Sequence, residues 1–410
     1  MVKWGRGRNT MMDEKKLDLV LERFYNRFNK YNTKVLRKLG EVIKQFEGLT
    51  PTQAHILAQE LKYSTNIDEL LNDLSQLSGQ SVKDIEDLFE HVAKENVEVA
   101  EQYYKFKDKR YIPYEENYEL RRLVNSIARE TDELFYNLSK SQNIGFSLRD
   151  KYGNIYYKPL RDLYNDLIDE AVYNSSIGVA DYQSAMRNVM RQLADSGVKI
   201  HEEKVAYESG YNRRIDSSVR QNVLTGIRKI NIGVQQIVGN EIGADGIEIS
   251  AHVPCAEDHL EINGRQYKAR QGETLDQLLD RINSHLDRPI GEYNCRHFAF
   301  SIVWGVSQPE YTKEQLERMK NDSLSKVEYD GKTYTKYEAT QVQRQLETAI
   351  RKQKDRQIVA RASGDKEEVG NAQLKISQLT NKYNDFSKKA GLDTYKNRMS
   401  VSGYRRVKVK

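Results

Sequence analysis

Thiol and imidazole side chains are concentrated in one short stretch of the chain. Both cysteines and four of the seven histidines lie between residues 252 and 297 of 410. They are His252, Cys255 and His259, then His285, then Cys295 and His297. Zinc prefers thiolate and imidazole ligands, and two short ligand groups about forty residues apart are typical of a structural tetrahedral site. Such a site requires the fold to bring two arms of one small domain together.

The second group lies in a segment that alternates like a strand. Cys295 and His297 share one face of that segment, so their side chains point the same way. On the first arm, the residues from Cys255 to His259 span one helical turn or a compact loop. A simpler interpretation is that ordinary hydrogen-bonded histidines lie beside a buried free thiol. His285 lies near the end of a predicted helix, where a solvated or capping histidine is expected.

Catalysis would need further groups beside these ligands. Glu257 and Asp258 could act as a general base next to a metal-bound water, as in a zinc-dependent nuclease or hydrolase. Neither an HExxH motif nor a further carboxylate cluster supports that hypothesis. Cys295 and His259 could form a nucleophile and base, but the sequence does not place the third, orienting group. We therefore expect no enzymatic activity and assign no catalytic residue.

Composition favours long solvated helices. Hydrophobic residues make up 38% of the chain, charged residues 30%, and there are only 6 prolines. The first residues lack the apolar stretch of a signal peptide, and no run approaches the length of a membrane span. We expect a protein made in the cytoplasm with no membrane partner. A Cys255–Cys295 disulfide is disfavoured in that reducing compartment.

Apolar periodicity predicts a mainly α protein with a small α/β module near residues 246–335. The predicted helices cover residues 12–48, 51–62, 81–103, 120–139, 160–194 and 203–240. Thr50 is the expected cap of the second helix, and Ser81 the expected start of the third. Inside the module we expect a strand near 247–251, one helix near 273–286, and hairpin turns at Asn263–Gly264 and Asp330–Gly331.

The end of the chain predicts a basic helical hairpin. A heptad seam runs through Val369, Ala372, Ile376, Leu379, Tyr383 and Phe386. Residues 337–410 contain 17 Lys and Arg against 8 Asp and Glu. Such a surface could contact packaged DNA or an acidic protein face. The predicted domains are a helical arm at 1–115, a central helical region at 116–245, the module at 246–335 with the Cys/His cluster, and the hairpin and tail at 336–410.

Most of the chain, and most closely the part after residue 210, resembles the phage minor capsid protein 2 family, the minor capsid proteins of tailed phages of Gram-positive bacteria. YEATQVQRQLETAIRKQK and FSKKAGL resemble the family's C-terminal helices. RRIDSSVRQNVLTGI resembles the family's R-[LI]-D-x-x-V-R-x-N-[VL] helix, EISAHVPCAEDH its strand ending in S-A-H, and YNCRHFAFSIVWG its N-C-R-H segment. The matching residues are Arg214, Asp216, Val219, Arg220, Asn222, His252, His259, Asn294, Cys295, Arg296, His297 and Gly305. Ile262, Asn263 and Gly264 depart from the aromatic-Gln-Gly that the family commonly shows.

The resemblance implies a structural role in the virion. It implies a minor capsid protein of the head and portal vertex that is incorporated during head assembly, and that contacts the portal protein and other capsid proteins. The role is also similar to that of the Mu F-type head morphogenesis proteins. Carried over residue by residue, it narrows the candidate ligands of the structural Zn²⁺ site indicated by residue types and spacing to His252, His259, Cys295 and His297, with Cys255 a local addition.

Two alternatives stay open at this point. One is a zinc-dependent nuclease or hydrolase, which requires an open coordination position and a nearby carboxylate. The other is a DNA-binding protein ejected with the genome, whose basic residues 337–410 would give strongly salt-dependent binding.

Overall fold

The chain forms two compact units, each assembled from three separate segments. The computed structural model describes residues 14–138, 143–176, 182–201, 213–291 and 295–408. Within those ranges, the first unit contains residues from Met1–Leu21, Val82–Glu133 and Gln221–Thr340. The second unit contains residues from Glu22–Ser81, Leu134–Arg220 and Gln341–Lys410. The four-domain division expected from the sequence stays a prediction.

Helices dominate the structure, which confirms the mainly α fold class. They are α1 (Glu14–Gln45), α2 (Pro51–Lys62), α3 (Asn66–Phe106), α4 (Tyr118–Leu138), α5 (Leu160–Ser176), α6 (Tyr182–Ser196), α7 (Ile215–Ile242), α8 (Leu275–Asn283), α9 (Lys313–Leu324), α10 (Lys336–Ser363) and α11 (Lys366–Lys389). No helix among the described residues is long and apolar enough to cross a membrane.

Of the two helix starts predicted from capping residues, the one at Thr50 is confirmed and the one at Ser81 is wrong. Thr50 caps α2 as expected, with Pro51 in the first turn and a reciprocal capping box to Gln53. Ser81 does not begin a helix, because α3 starts at Asn66 and continues through that position. The Ser81 hydroxyl donates to the carbonyl of Leu77 one turn earlier, so it is bonded inside the helix and is not free to cap one.

The central helices differ in extent from their prediction. The single helix expected over 160–194 is described as α5 and α6, and residues 177–181 lie outside the described residues. The helix expected from 203 begins at Ile215, and residues 202–212 also lie outside them. The predicted apolar face of α7 is confirmed, since each member is fully buried: Ile215, Val219, Val223, Ile227 and Ile230.

A small sheet and a buried charge cluster lie in the second unit. Strand β1 (Ile144–Arg149) pairs antiparallel with β2 (Ile155–Pro159) and with β3 (Lys199–Ile200). Arg214 donates to Asp355 at 2.7 Å and to Asp216 at 3.2 Å, and both carboxylates are fully buried. Burial raises carboxyl pKa values, but the Arg214 charge holds the pKa of Asp216 below its ordinary value.

The predicted α/β module lies in the first unit and carries the Cys/His cluster. A three-stranded antiparallel sheet has the order β5 (Gln266–Lys268), β4 (Gly246–Ile249), β6 (Ala299–Ile302). Helix α8 packs on β4, and their core contains Ile247, Ile249, Leu275, Leu278 and Ile282. A second helix, α9, was not expected. It begins with its own capping box between Thr312 and Gln315.

One of the two predicted hairpin turns is confirmed. Asp330 and Gly331 both have positive φ and join β7 (Lys326–Tyr329) to β8 (Lys332–Thr335). The turn predicted at Asn263–Gly264 is wrong as a hairpin, because the residues before it form turns after a short 3₁₀ helix. Only Gly264 has positive φ there, while Asn263 is buried and its amide group is bonded to the backbone of His252.

Two helices, α10 and α11, form the predicted C-terminal hairpin in the second unit. Ile350 of α10 and Tyr383 of α11 belong to one buried cluster with Met399, and Leu346 and Leu379 pack against it. The heptad positions Ala372, Ile376, Tyr383 and Phe386 are buried. This pattern is expected where two antiparallel helices bury a shared apolar seam.

Candidate metal centre

Three short segments position the cluster at one edge of the α/β module. His252 follows β4 by three residues, and His259 ends the 3₁₀ helix Glu257–His259. Cys295 and His297 lie just before β6, which pairs with β4 throughout its length. Pairing of β4 with β6 therefore brings the two ligand groups together, although they are far apart in the sequence.

Three side chains converge on one point. The Nδ1 atoms of His259 and His297 are 3.2 Å apart, and each lies 3.5 Å from Sγ of Cys295. The backbone N–H of His297 also points at Cys295 Sγ, at 3.4 Å. All three residues are at most 4% exposed. They form a buried triangle of two nitrogens and one sulfur, a donor set that zinc prefers.

Each imidazole of this triangle is oriented by an oxygen on its far side. His259 Nε2 lies 2.8 Å from the carbonyl oxygen of Arg288, and His297 Nε2 lies 3.0 Å from Oδ1 of Asn263. The Arg288 guanidinium forms a two-point ion pair with Asp258, with N–O distances of 2.9 and 2.6 Å. That ion pair fixes the segment that carries the Arg288 carbonyl. Such contacts are typical of the outer shell around metal-binding histidines.

Cys255 and His252 form a second group on the other side of His297. Cys255 Sγ lies 3.8 Å from Nε2 of His297, and the His252 ring packs on the His297 ring with centroids 4.3 Å apart. His252 Nδ1 is 3.1 Å from the carbonyl oxygen of Pro254, while its Nε2 is buried without a hydrogen-bond partner. The backbone N–H of Cys255 donates to Ser323 Oγ.

The two thiols differ in their tendency to ionise. Burial raises the pKa of Cys255 to about 12, so this side chain stays a neutral thiol. Burial also pushes the pKa of Cys295 upward, but His259 and neighbouring backbone N–H groups outweigh it and lower the pKa below its ordinary value. Cys295 is therefore the better thiolate ligand of the two.

Burial keeps two of the histidines neutral. It lowers the pKa of His297 to about 2 and that of His252 to about 4, with nearby positive charges adding to the effect. Neutral imidazole is the form that binds metal ions, so no proton has to be displaced from either ring at neutral pH.

The structure brings together all five residues named from the sequence, but in two groups. His259, Cys295 and His297 converge, whereas His252 groups with Cys255 and His297. His285 is exposed and belongs to neither group, as expected for a solvated histidine. Asn294 lies outside the described residues.

Two orienting groups were missed by sequence reasoning. Asn263 contacts His297 and His252, which lie 34 and 11 residues away in the sequence, and no local spacing indicates those contacts. The Arg288 contact is made by a backbone carbonyl, for which the sequence carries no signal. Of the two carboxylates considered as general bases, Glu257 is exposed and Asp258 is paired with Arg288.

Comparison with known proteins gives one match, and it covers almost the whole chain. The family described as phage minor capsid protein 2 matches residues 12–388. No curated protein and no solved structure matches the chain.

Proposed function

The chain belongs to the phage minor capsid protein 2 family, and we propose that it is built into the portal vertex of the phage head during assembly. Membership makes it a structural protein of the virion that contacts other virion proteins. The observation that carries the proposal is the length of the family match, which spans residues 12–388 and so includes both units. The portal protein is the proposed principal partner, and assembly takes place in the cytoplasm of the bacterial host.

The interior of each unit supports a structural role. The second unit buries the ion cluster of Arg214, Asp216 and Asp355, and the first buries the Cys/His cluster. Buried charges and ligands of this kind are strongly destabilising when unpaired, so they favour one arrangement of the segments that carry them. A particle component that must present a fixed surface to its neighbours gains from that rigidity.

The cluster supports a role without catalysis. His259 and His297 are each 1% exposed, so the described residues around them cover the converging atoms. Asp258, the nearer carboxylate, is held by Arg288 and lies near Nε2 of His259, away from the convergence point. A metal-dependent hydrolase needs an accessible coordination position and a base beside it. We therefore assign the cluster to stability and not to hydrolysis.

Co-expression with the portal protein of the same phage tests the proposal. The chain is expected to co-purify with portal rings. The Cys255→Ser variant serves as a control for general damage to the fold, because Cys255 is buried away from any partner surface. Failure of the chain to bind portal rings and to enter heads assembled in infected cells would contradict the proposal.

A second candidate function is contact with packaged DNA, favoured by one feature of α11. Lys375, Lys382 and Lys389 follow one another at steps of seven residues and are exposed, along one side of the buried seam of the hairpin. Lys389 also forms an exposed ion pair with Asp385, one turn earlier. The row of lysines is one exposed basic surface of residues 337–410 that could meet phosphates.

Replacing all three lysines of the row by glutamate tests this candidate in the full chain. DNA binding is expected to weaken irrespective of sequence, and the slope of log K against log salt to fall by about 0.9 for each phosphate that is no longer neutralised. The control changes three exposed lysines of the first unit, Lys313, Lys326 and Lys332, to glutamate. Equal weakening by both triple variants would show that overall charge and not the α11 row determines binding.

A further inference from the structure

We propose that His259 Nδ1, Cys295 Sγ and His297 Nδ1 bind one structural zinc ion, with His252 as the fourth ligand and Asn263 and the Arg288 carbonyl fixing the two rings. The ion would join the 3₁₀ helix after β4 to the segment that enters β6. This inference goes beyond the role in the virion and stands independently of it, because it depends only on contacts inside the first unit.

The contact with the Arg288 carbonyl places a proton on Nε2 of His259. A carbonyl oxygen can only accept a hydrogen bond, so the 2.8 Å contact with the Arg288 carbonyl requires a proton on Nε2 of His259. A neutral imidazole carries one proton in total. Burial opposes a charge on His259, but its contacts with Cys295, the Arg288 carbonyl and Asp258 raise its pKa above the ordinary value. A second proton, on Nδ1, would be shared with Cys295, and a bound metal ion replaces that proton and leaves Nδ1 as a lone pair that points at the centre of the triangle.

The orientation of the Asn263 amide determines which ring nitrogen of His297 carries the proton. The backbone N–H of His252 donates to Oδ1 of Asn263 at 3.0 Å, and Nδ2 of Asn263 donates to the carbonyl of His252. These backbone partners determine which amide atom is oxygen, since the reverse assignment would oppose donor to donor. Nε2 of His297 faces that oxygen at 3.0 Å and must carry the proton. Its Nδ1 is then also a lone pair.

When His259 is neutral, two lone pairs face each other at 3.2 Å in a buried site. A thiol proton on Cys295 can serve only one of them, and a buried lone pair without a partner is costly. An ion at the centre satisfies both nitrogens and the sulfur together. With zinc–nitrogen and zinc–sulfur distances of about 2.0–2.1 and 2.3 Å, a tetrahedral site places its nitrogens roughly 3.3 Å apart and nitrogen and sulfur roughly 3.5 Å apart. The observed separations are 3.2 Å and 3.5 Å.

The fourth position is assigned to His252. Its Nε2 is buried and has no hydrogen-bond partner, and its ring already packs on that of His297. A shift of the side chain is needed, because His252 does not lie within 4.8 Å of all three converging atoms. Cys255 is not assigned to the ion, because its Sγ faces Nε2 of His297, the nitrogen that carries a proton.

The two cysteines supply a matched test. Full-length wild-type protein, Cys295→Ser and Cys255→Ser are purified without chelator, and zinc is measured by elemental analysis. Wild type and Cys255→Ser are expected to contain about one zinc per chain, and Cys295→Ser to lose most of it. A wild type without zinc, even after incubation with zinc salt, would overturn the proposal. Loss of zinc from Cys255→Ser together with its retention in Cys295→Ser would overturn it equally.

A second measurement covers the case in which Cys295→Ser does not fold. Cobalt(II) is substituted for zinc in Cys255→Ser, whose only thiol is Cys295. A sulfur-to-cobalt charge-transfer band in this variant is expected, and it identifies Cys295 as a ligand. A folded, cobalt-loaded variant without that band would refute the assignment.

Discussion

His259 and His297 present their Nδ1 atoms to each other at 3.2 Å, while an oxygen acceptor fixes the opposite nitrogen of each ring. Paired lone pairs of this kind are unfavourable in a protein interior unless a cation lies between them. The His and Cys residues that are concentrated in this part of the sequence therefore create a position in the fold that favours a cation.

Asn263 is expected to tune the affinity of the site without binding the ion. Replacing it by alanine removes the acceptor for Nε2 of His297 and the amide bonds to His252, so zinc affinity is expected to fall by about 10- to 100-fold. Competition with a chelating indicator dye measures the affinity. Asn321→Ala, at an exposed position of α9, is the control and should bind as wild type does. Equal affinities in all three proteins would contradict the role of Asn263.

Arg214 is expected to be essential for the stability of the second unit. Its removal in Arg214→Met leaves Asp216 and Asp355 as two buried carboxylates without their main partner. Breaking a buried pair in this way costs about 3–5 kcal/mol of unfolding free energy. Urea unfolding provides the measurement, and Arg37→Met, at an exposed position of α1, provides the control. A loss below about 1 kcal/mol would show that the cluster is not a buried ion network.

Lys199 is expected to give stability an unusual dependence on pH. Burial, with the charges of Arg214 and Lys352, lowers its pKa from 10.5 to about 8. Between these two values the unfolded chain binds more protons than the folded chain, so stability rises with pH there, by up to about 1.4 kcal/mol per pH unit. Below pH 8 the cost of the buried charge is fully present.

Lys199→Met tests this by removing the titrating group. The rise in urea-unfolding free energy from about pH 8 to about pH 9.5 is expected in wild type and absent in the variant. The variant is also expected to be the more stable protein at neutral pH. Parallel curves for the two proteins over this range would be inconsistent with a depressed Lys199 pKa.

Two helical glycines are expected to respond in opposite ways to the same substitution. A Cβ atom at Gly226 in α7 would lie 2.2 Å from the ring of Phe89, which is fully buried, whereas Gly370 in α11 has open space around it. Gly226→Ala should destabilise by about 1–3 kcal/mol through overpacking. Gly370→Ala should stabilise by about 0.5–1 kcal/mol, because alanine favours the helix. Thermal unfolding distinguishes them, and the same sign for both would contradict the packing of α7 on Phe89.

Local patterns allowed the regular elements to be predicted. The apolar face of α7, the turn at Asp330–Gly331 and the α10–α11 seam each follow from spacing within one segment, and the structure has all three. The capping box between Thr312 and Gln315 is a signal in the sequence for the start of α9. The start of α3 was placed too late, because a serine inside a helix resembles a serine that caps one.

Long-range partners could not be predicted in the same way. Asp355 is 141 residues from Arg214, and nothing near either residue indicates the pairing. Within the cluster, residue types and spacing identified the ligand candidates, but the division into two groups depends on ring orientation. That orientation is set by Asn263 and by a backbone carbonyl, and it becomes visible only in three dimensions.

The central claim, a structural protein of the head at the portal vertex, is tested most directly by the protein content of purified particles. Quantitative mass spectrometry should find the chain at low copy in virions and in DNA-free heads, and should find it missing from heads assembled without the portal protein. Absence from virions, or the same amount in heads that lack the portal, would contradict the account.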